Sequence, residues 1–248
     1  MKTREDEPTH LRCLAIVPAL TEQGSIGAVV GDLCALAAPT VEVVVIDDGS
    51  TDATAERARA AGARVVRMPF NTGIGGAVQA GYQLAEREGF DVAIQVDGDG
   101  QHPADQVHLL IAHLATTGAN YVIGSRFAGH GDYRGTRARR RAISILARLI
   151  SGLVGFRLTD PTSGFRAADR RTIECFARAY PADYPEAEAI VVAHRLGLTV
   201  RELPVLMRPR TSGRSSITPV RSLYYMLKVT LAVLVQCMGR NPARTTSP

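Results

Sequence analysis

Asp97-Gly98-Asp99-Gly100-Gln101-His102 sets two carboxylates one residue apart, directly after the apolar run Val92–Val96. At the end of a strand such a pair can share one hard divalent cation, Mg2+ or Mn2+, or one acid can bind metal while the other meets the substrate. A cation held there would bridge a diphosphate and neutralise the charge that gathers on a leaving nucleotide. Gly98 and Gly100 leave backbone room for a ligand. The alternative is an acidic turn, because Asp-Gly is a common turn dipeptide.

Asp47-Asp48-Gly49-Ser50-Thr51-Asp52 repeats the pattern after the β-branched run Val41–Ile46. Asp47 and Asp48 suit hydrogen bonds from a base N–H or a ribose hydroxyl, whereas Asp52 suits a helix cap; a capped helix start is the alternative for the whole segment. Glu22, in Pro18-Ala19-Leu20-Thr21-Glu22, follows the first apolar run and falls on the same edge. Asn71-Thr72-Gly73-Ile74-Gly75-Gly76-Ala77 is glycine-rich and opens a helix. It matches neither a dinucleotide fingerprint nor a P-loop, which leaves close approach to a ligand or tight helix–sheet packing. Between Arg126 and Arg148 there are seven arginines and one acid, Asp132, a concentration of charge that calls for an anionic partner.

The elements that must position these residues follow from periodicity. Cys13–Val17, Val41–Ile46, Arg64–Arg67, Val92–Val96 and Tyr121–Ile123 read as strands, with helices predicted over Ala53–Ala61, Gly75–Glu88 and Pro103–Ala115 between them. Gly62 stands where a C-terminal cap glycine belongs, and Pro103 at a first helical turn. Strand–helix alternation means a mostly parallel sheet with helices on both faces, and such sheets bind ligands beyond the carboxyl ends of their strands. Past Arg126 the alternation stops. Arg137–Gly155 reads as a basic amphipathic helix, Asp160–Arg166 as a loop, Glu186–Leu196 as a helix, Val200–Met207 as a strand and Pro219–Met238 as a final apolar helix.

With 46% hydrophobic and 21% charged residues, the composition excludes a disordered or fibrous chain. A net charge of +5 with only 5% aromatics and no Trp leaves little base-stacking surface, which argues against nucleic acid. Cys13, Cys34, Cys175 and Cys237 form no paired motif; Cys13 and Cys34 lie in apolar stretches and read as small buried hydrophobes in a reducing cytosol. Met1–His10 lacks the apolar core of a signal peptide, and Leu223–Met238 is short for a membrane span and carries Lys228 and Gln236. The expected organisation is a tail over 1–10, a catalytic domain over 11–218 with halves 11–126 and 127–218, an apolar helix over 219–238 and a tail over 239–248.

In order along the chain, VPALTE, VVVIDDGSTD, NTGIGGA and QVDGDGQH resemble the family-2 glycosyltransferases. Gly124-Ser125-Arg126, Gly164-Phe165-Arg166, Glu202-Leu203-Pro204-Val205 and the segment Arg210-Thr211-Ser212-Gly213-Arg214-Ser215 are similar to motifs of the polyprenyl-phosphate branch, which includes dolichol-phosphate mannose synthase. The resemblance implies a GT-A fold with C-terminal amphipathic helices. It implies a nucleotide pocket around Pro18, Ala19, Glu22, Asp47, Asp48, Gly73 and Asp97, and a metal and sugar-diphosphate site at Asp97, Asp99 and Gln101. Arg126, Arg166, Arg210 and Ser215 would face the acceptor phosphate, so that Asp99, Gln101, Arg126 and Arg166 carry catalysis. Asp-Gly-Asp-Gly-Gln-His departs from the family's usual Asp-x-Asp-Leu-Gln-His, which bears on the shape of the sugar pocket.

The expected reaction moves a sugar from GDP, UDP or TDP to polyprenyl phosphate, dependent on Mg2+ or Mn2+ and inverting. A phosphate monoester, mostly dianionic at neutral pH, needs cations but no general base. A hydroxyl acceptor needs a base, for which Glu174, Asp183, Glu186 and Glu188 are the candidates. A non-catalytic nucleotide-sugar binding module is the alternative of another class. The basic start and apolar stripe of the 137–155 helix predict docking on an anionic membrane at its cytoplasmic face, with a core-packing helix as the alternative. The final helix would meet lipid, a small membrane partner subunit or a second copy of the chain.

Overall fold

The computed structural model describes residues 11–37, 40–129 and 137–208, together with Lys228 and Leu231. Seven strands build one sheet: β1 (Cys13–Ala19), β2 (Val41–Asp47), β3 (Arg64–Arg67), β4 (Val92–Gln95), β5 (Tyr121–Ser125), β6 (Arg166–Asp169) and β7 (Val200–Pro204), in the order β3-β2-β1-β4-β6-β5-β7. The predicted strands of the first half stand within two residues of where periodicity placed them. Their side chains alternate as pleating demands. Leu14, Ile16, Val44 and Ile46 enter one core, while Cys13, Ala15, Val17, Val43 and Val45 enter the other.

Helices α1 (Ile26–Cys34), α2 (Thr54–Ala60) and α4 (Val107–Thr117) cover one face, through Ile26, Val30, Leu33, Ala58, Leu110 and Leu114. On the other lie α3 (Gly73–Glu88), α5 (Arg137–Val154), α6 (Arg170–Arg178) and α7 (Pro185–Arg195). Gly62, with φ of +103°, ends α2 as the sequence predicts.

α1, β6 and α6 were not among the expected elements. β6 runs antiparallel between β4 and β5, pairing Arg166 with Gln95 and with Ile123. Because it is reversed, it begins at the edge where the parallel strands end, and the loop before it arrives among the acids. Its four residues, Arg-Ala-Ala-Asp, are too short and too poor in β-branched residues to register as a strand by pattern.

Two expectations need correction, and one lies beyond the described residues. The apolar stripe of α5 does not face lipid: Ile143, Leu146, Ile150 and Val154 are buried, the last three in one core with Tyr121, Ile123 and Ala168. An amphipathic stripe has one period whichever apolar surface it meets, and here α7 and the core they share take it. Cys34 is exposed, because Ile26, Val29, Val30 and Leu33 define the buried face of α1 and Cys34 lies one residue past it. The apolar helix over 219–238, apart from Lys228 and Leu231, lies outside the described residues, as do Arg210 and Ser215. Among the described residues, no helix is long and apolar enough to cross a membrane.

Candidate active site

The carboxyl ends of β1, β2 and β4 bring three motifs together. Ala19 pairs with Asp47 in the β1–β2 register, and the Asp48 N–H donates to the Ala19 carbonyl at 2.9 Å. On the other flank of β1, a Cβ added to Gly98 would lie 3.4 Å from the Pro18 carbonyl oxygen. Pro18-Ala19 thus runs between the two acidic motifs. Beyond it Thr21 adopts φ of +58°, its N–H donates to Ser50 Oγ at 3.0 Å and that of Glu22 donates to Thr54 Oγ1 at 2.9 Å. Glu22, half-buried, accepts a hydrogen bond from Ser25 Oγ at 2.9 Å.

Asp47 and Asp48 are both buried and divide their work. Asp48 Oδ1 accepts from the Thr72 N–H at 2.7 Å and from Thr72 Oγ1 at 2.8 Å, and Oδ2 accepts from the Gly73 N–H at 2.9 Å. It therefore anchors the first turn of α3, the capping alternative realised on a helix other than the adjacent one. Asp47 Oδ1 accepts from the Ser50 N–H at 2.9 Å, whereas its Oδ2 has no hydrogen-bond partner and faces Arg67 Nε at 3.4 Å. A buried carboxylate oxygen left over in this way suits a ligand donor.

The glycine-rich turn serves packing more than ligand approach. A Cβ on Gly75 would come within 2.3 Å of the Pro181 carbonyl oxygen, and one on Gly81 within 2.3 Å of Ile16 Cγ2. Gly73 differs: its φ of +81° demands glycine, and a Cβ there would meet open space.

At the end of β4 the two acids occupy different settings. Asp99 is 5% exposed and accepts from the Gln101 N–H at 3.0 Å; the Asp97 side chain is 35% exposed. His102 works on Asp97. Its Nδ1 accepts from the Asp97 N–H at 3.0 Å, which leaves the proton on Nε2, 3.6 Å from Asp97 Oδ2. Burial lowers the His102 pKa to about 4, and the ring stacks on Phe165 at 4.9 Å between centroids. A Cβ on Gly164 would lie 2.8 and 2.9 Å from the two Asp97 carboxylate oxygens. His102 and Gly164 thus hold Asp97 from two sides, roles that motif reading did not assign. The spacing of Gly164-Phe165-Arg166 carried no sign of this, since the contact spans distant sequence.

The residues fit Mg2+ or Mn2+ in a particular sense. No group of three or more His, Cys, Asp or Glu converges on a cation position among the described residues. Mg2+ normally uses one or two carboxylates, substrate phosphates and water, and a buried Asp99 beside a half-exposed Asp97 supplies that kind of donor set. Gln101 is half-buried, and its carbonyl accepts from the Arg208 N–H at 2.9 Å.

The two described arginines expected on phosphate are held by protein. Arg126 meets Asp160 through Nε at 2.6 Å and Nη2 at 2.7 Å, a bidentate pair, and Nη2 also reaches Thr162 Oγ1 at 2.7 Å. Arg166 is wholly buried. Its guanidinium donates to the Ser163, Pro161 and Glu186 carbonyls and to the Tyr121 hydroxyl. The phosphate contact expected of Arg166 gives way to a strut that fixes the loop before β6.

Exposed cationic charge lies elsewhere. A cleft of about 770 Å³ opens beside α5, with Arg140, Arg148 and Arg157 over apolar walls that include Phe127, Ile143, Phe156 and Leu158. Arg140, Ser144, Arg148 and Gly152 recur every fourth residue and so share one side of the helix. Of the four candidate bases, Glu174 pairs with Arg170 at 3.6 Å, Asp183 is exposed, and Glu188 accepts from the Tyr184 N–H. Glu186 lies within electrostatic reach of Arg166, Asp97 and Arg126, and burial raises its carboxyl pKa.

A family model described as glycosyl transferase family 2 matches residues 14–177. The chain is 32% identical to the undecaprenyl-phosphate mannosyltransferase of Micrococcus luteus, over 84% of this chain and 88% of that protein. It is 31% identical to the polyprenol monophosphomannose synthase of Mycolicibacterium smegmatis, over 90% and 86% respectively. Among solved structures, glucosyl-3-phosphoglycerate synthase from Mycobacterium tuberculosis, in complex with Mn2+, UDP and phosphoglyceric acid, superposes with a TM-score of 0.72 at 25% identity, covering 94% of this chain and 80% of that one. The same enzyme with Mg2+ and UDP gives 0.72 at 26% identity, over 94% and 81%. The seven-stranded sheet with its two helical layers is accordingly a GT-A fold.

Proposed function

This chain belongs to glycosyl transferase family 2 and is a nucleotide-sugar-dependent glycosyltransferase, and on that premise we propose that it transfers a sugar from a nucleoside diphosphate to a polyprenyl phosphate. The observation that carries the acceptor class is the cleft beside α5, where three arginines stand over apolar walls. Guanidinium groups suit a phosphate dianion, and the walls suit the first prenyl units behind it. The names of the two polyprenyl-phosphate relatives support the same reading.

The donor lies at the carboxyl edge of β1, β2 and β4. Pro18-Ala19 and the Gly73 turn line the nucleoside, Glu22 closes the pocket on the β1 side, and Asp47 Oδ2 receives a base or ribose donor. Asp97 and Asp99, with Gln101 beside them, would hold Mg2+ or Mn2+. When bound, the cation neutralises charge on the departing diphosphate. His102 and Gly164 keep Asp97 aimed at it. An acceptor phosphate oxygen forms the new bond at the anomeric carbon as the bond to the diphosphate breaks, so nucleoside diphosphate leaves and the configuration inverts. Arg140, Arg148 and Arg157 draw the acceptor in, while Arg126, fixed by Asp160, borders the entrance next to Phe127.

A second reading, transfer to the hydroxyl of a small phosphorylated acceptor, is favoured by Glu186, the one candidate base placed near Asp97, with a raised pKa that suits proton abstraction. Incubation with labelled GDP-, UDP- and TDP-sugars and polyprenyl phosphate in detergent, with Mn2+ or with chelator, separates the two. Metal-dependent label in the lipid extract supports the proposal. Label found only on water-soluble hydroxyl acceptors overturns it in favour of the second reading.

A further inference from the structure

Glu202, the third residue of β7, directs its carboxylate at three hydrogen-bond donors and no acceptor. Oε2 accepts from the Thr159 N–H at 2.7 Å and from Thr159 Oγ1 at 2.8 Å, and Oε1 accepts from the Asp160 N–H at 2.8 Å. Since Thr159 Oγ1 donates to Glu202, the 2.7 Å contact between it and Ser125 Oγ must have Ser125 as donor. The oxygen of Ser125 then accepts from the Phe127 and Ala128 N–H groups at 3.1 and 3.0 Å. Every bond in this chain has one direction, and it terminates on the Glu202 carboxylate.

Pairing β7 to β5 does not require this side chain, because the parallel register already places Glu202 beside Ile123. What the side chain holds is the turn carrying Asp160, which in turn grips Arg126 through Nε, Nη2 and the backbone N–H. Phe127, Leu158 and Thr159, all fixed by the same network or adjacent to it, line the cleft beside α5. We infer that Glu202 is a positioning residue for the acceptor: by anchoring Thr159 and Asp160 it sets the orientation of Arg126 and the wall of the acceptor cleft. The inference rests on the acceptor reading given above.

Glu202→Gln keeps the volume but puts an amide donor against at least one backbone N–H, since all three facing groups donate. Its expected effect is an acceptor KM raised about tenfold, the consequence of one buried donor left unpaired. Affinity for the preferred nucleoside diphosphate, measured by calorimetry with Mn2+, and kcat stay within about twofold, because the Glu202 carboxylate bonds Thr159 and Asp160 and not the acids at the end of β4. Thr159→Val removes only the hydroxyl arm, and is expected to raise the same KM less, by about threefold, and to combine with Glu202→Gln less than additively. It also serves should the glutamine variant not fold. An unchanged acceptor KM in the folded variants overturns the inference, as does a parallel loss of nucleotide affinity, which marks general destabilisation. Absence of wild-type transfer to polyprenyl phosphate is a separate failure, that of the acceptor reading. In that case the same KM comparison, made with whichever acceptor the wild type uses, decides the role of Glu202.

Discussion

Asp99 and Asp97 have the same chemistry but different surroundings, and variants at each are expected to differ. Asp99→Asn keeps the turn acceptor for the Gln101 N–H but halves the charge offered to a cation, so Mn2+-dependent donor binding and transfer are expected to be lost, at a cost of several kcal/mol in leaving-group stabilisation. Wild-type rates in that variant rule out metal at this site. Gly164→Ala reaches Asp97 indirectly, by driving a methyl group against both carboxylate oxygens. Electron paramagnetic resonance of Mn2+ is expected to show weaker binding, while nucleotide affinity in chelator is unchanged; equal Mn2+ affinity means that Asp97 has room to turn aside. Asp48→Ala belongs to another class. It leaves the Thr72 N–H and hydroxyl without their acceptor, while the Gly73 N–H keeps Asn71 Oδ1 at 2.9 Å, and is expected to lower stability by about 1–3 kcal/mol in urea denaturation. Full retention of stability returns Asp48 to the role of a ligand residue.

Among the elements, α3 and the loop before β6 hold the acidic motifs from two sides. α3 lies so close to β1 and to Pro181-Ala182 that Gly75 and Gly81 tolerate no Cβ. Gly75→Ala sets a methyl group against main-chain atoms that have no rotamer to escape into, and a destabilisation of about 1–3 kcal/mol is expected by chemical denaturation. A loss below about 0.5 kcal/mol shows that the 181–182 segment yields freely. α5 plays a double part. Its buried stripe closes one core, and the opposite side contributes Arg140 and Arg148 to the cleft. A helix packed in this way against α7 and the shared core presents its arginines from a rigid support, which suits recognition of a small anion better than an unattached interfacial helix does.

For the molecule as a whole, charge and protonation set the conditions of use. His102 is neutral when folded, with a pKa of about 4 against 6.5 for the unperturbed group. The unfolded chain therefore takes up a proton that the folded chain refuses, so this stabilisation is complete above about pH 6.5 and declines as pH falls toward about 4. Melting temperatures across that window are expected to fall more steeply for the wild type than for His102→Asn, whose side-chain oxygen can still accept from the Asp97 N–H. Parallel curves place the titration elsewhere. The net charge of +5 and the exposed Arg140, Arg141 and Arg148 are expected to favour anionic surfaces by about 1 kcal/mol per arginine. Flotation with anionic vesicles is expected to be salt-sensitive and to weaken on changing these three to Ser, with nucleotide binding preserved. Salt-independent flotation points instead to an apolar contact.

Local chemistry was legible in the sequence. Apolar runs rich in Val and Ile located the strands of the first half, the acids after those runs located the edge where the three motifs meet, and Gly62 marked a helix end, because strand formation, strand ends and positive φ act within a few residues. Partnership was not legible. Arg126 and Arg166 looked alike as phosphate ligands, but Asp160, 34 residues along the chain from Arg126, and Tyr121, 45 residues from Arg166, take their guanidinium groups. The stripe on α5 was equally ready for lipid or for a protein core until α7 was in place. A side chain declares what it can bind, but which of several suitable partners it meets depends on which distant segments the fold brings within about 3 Å of it, and the reversed strand β6 made that choice here.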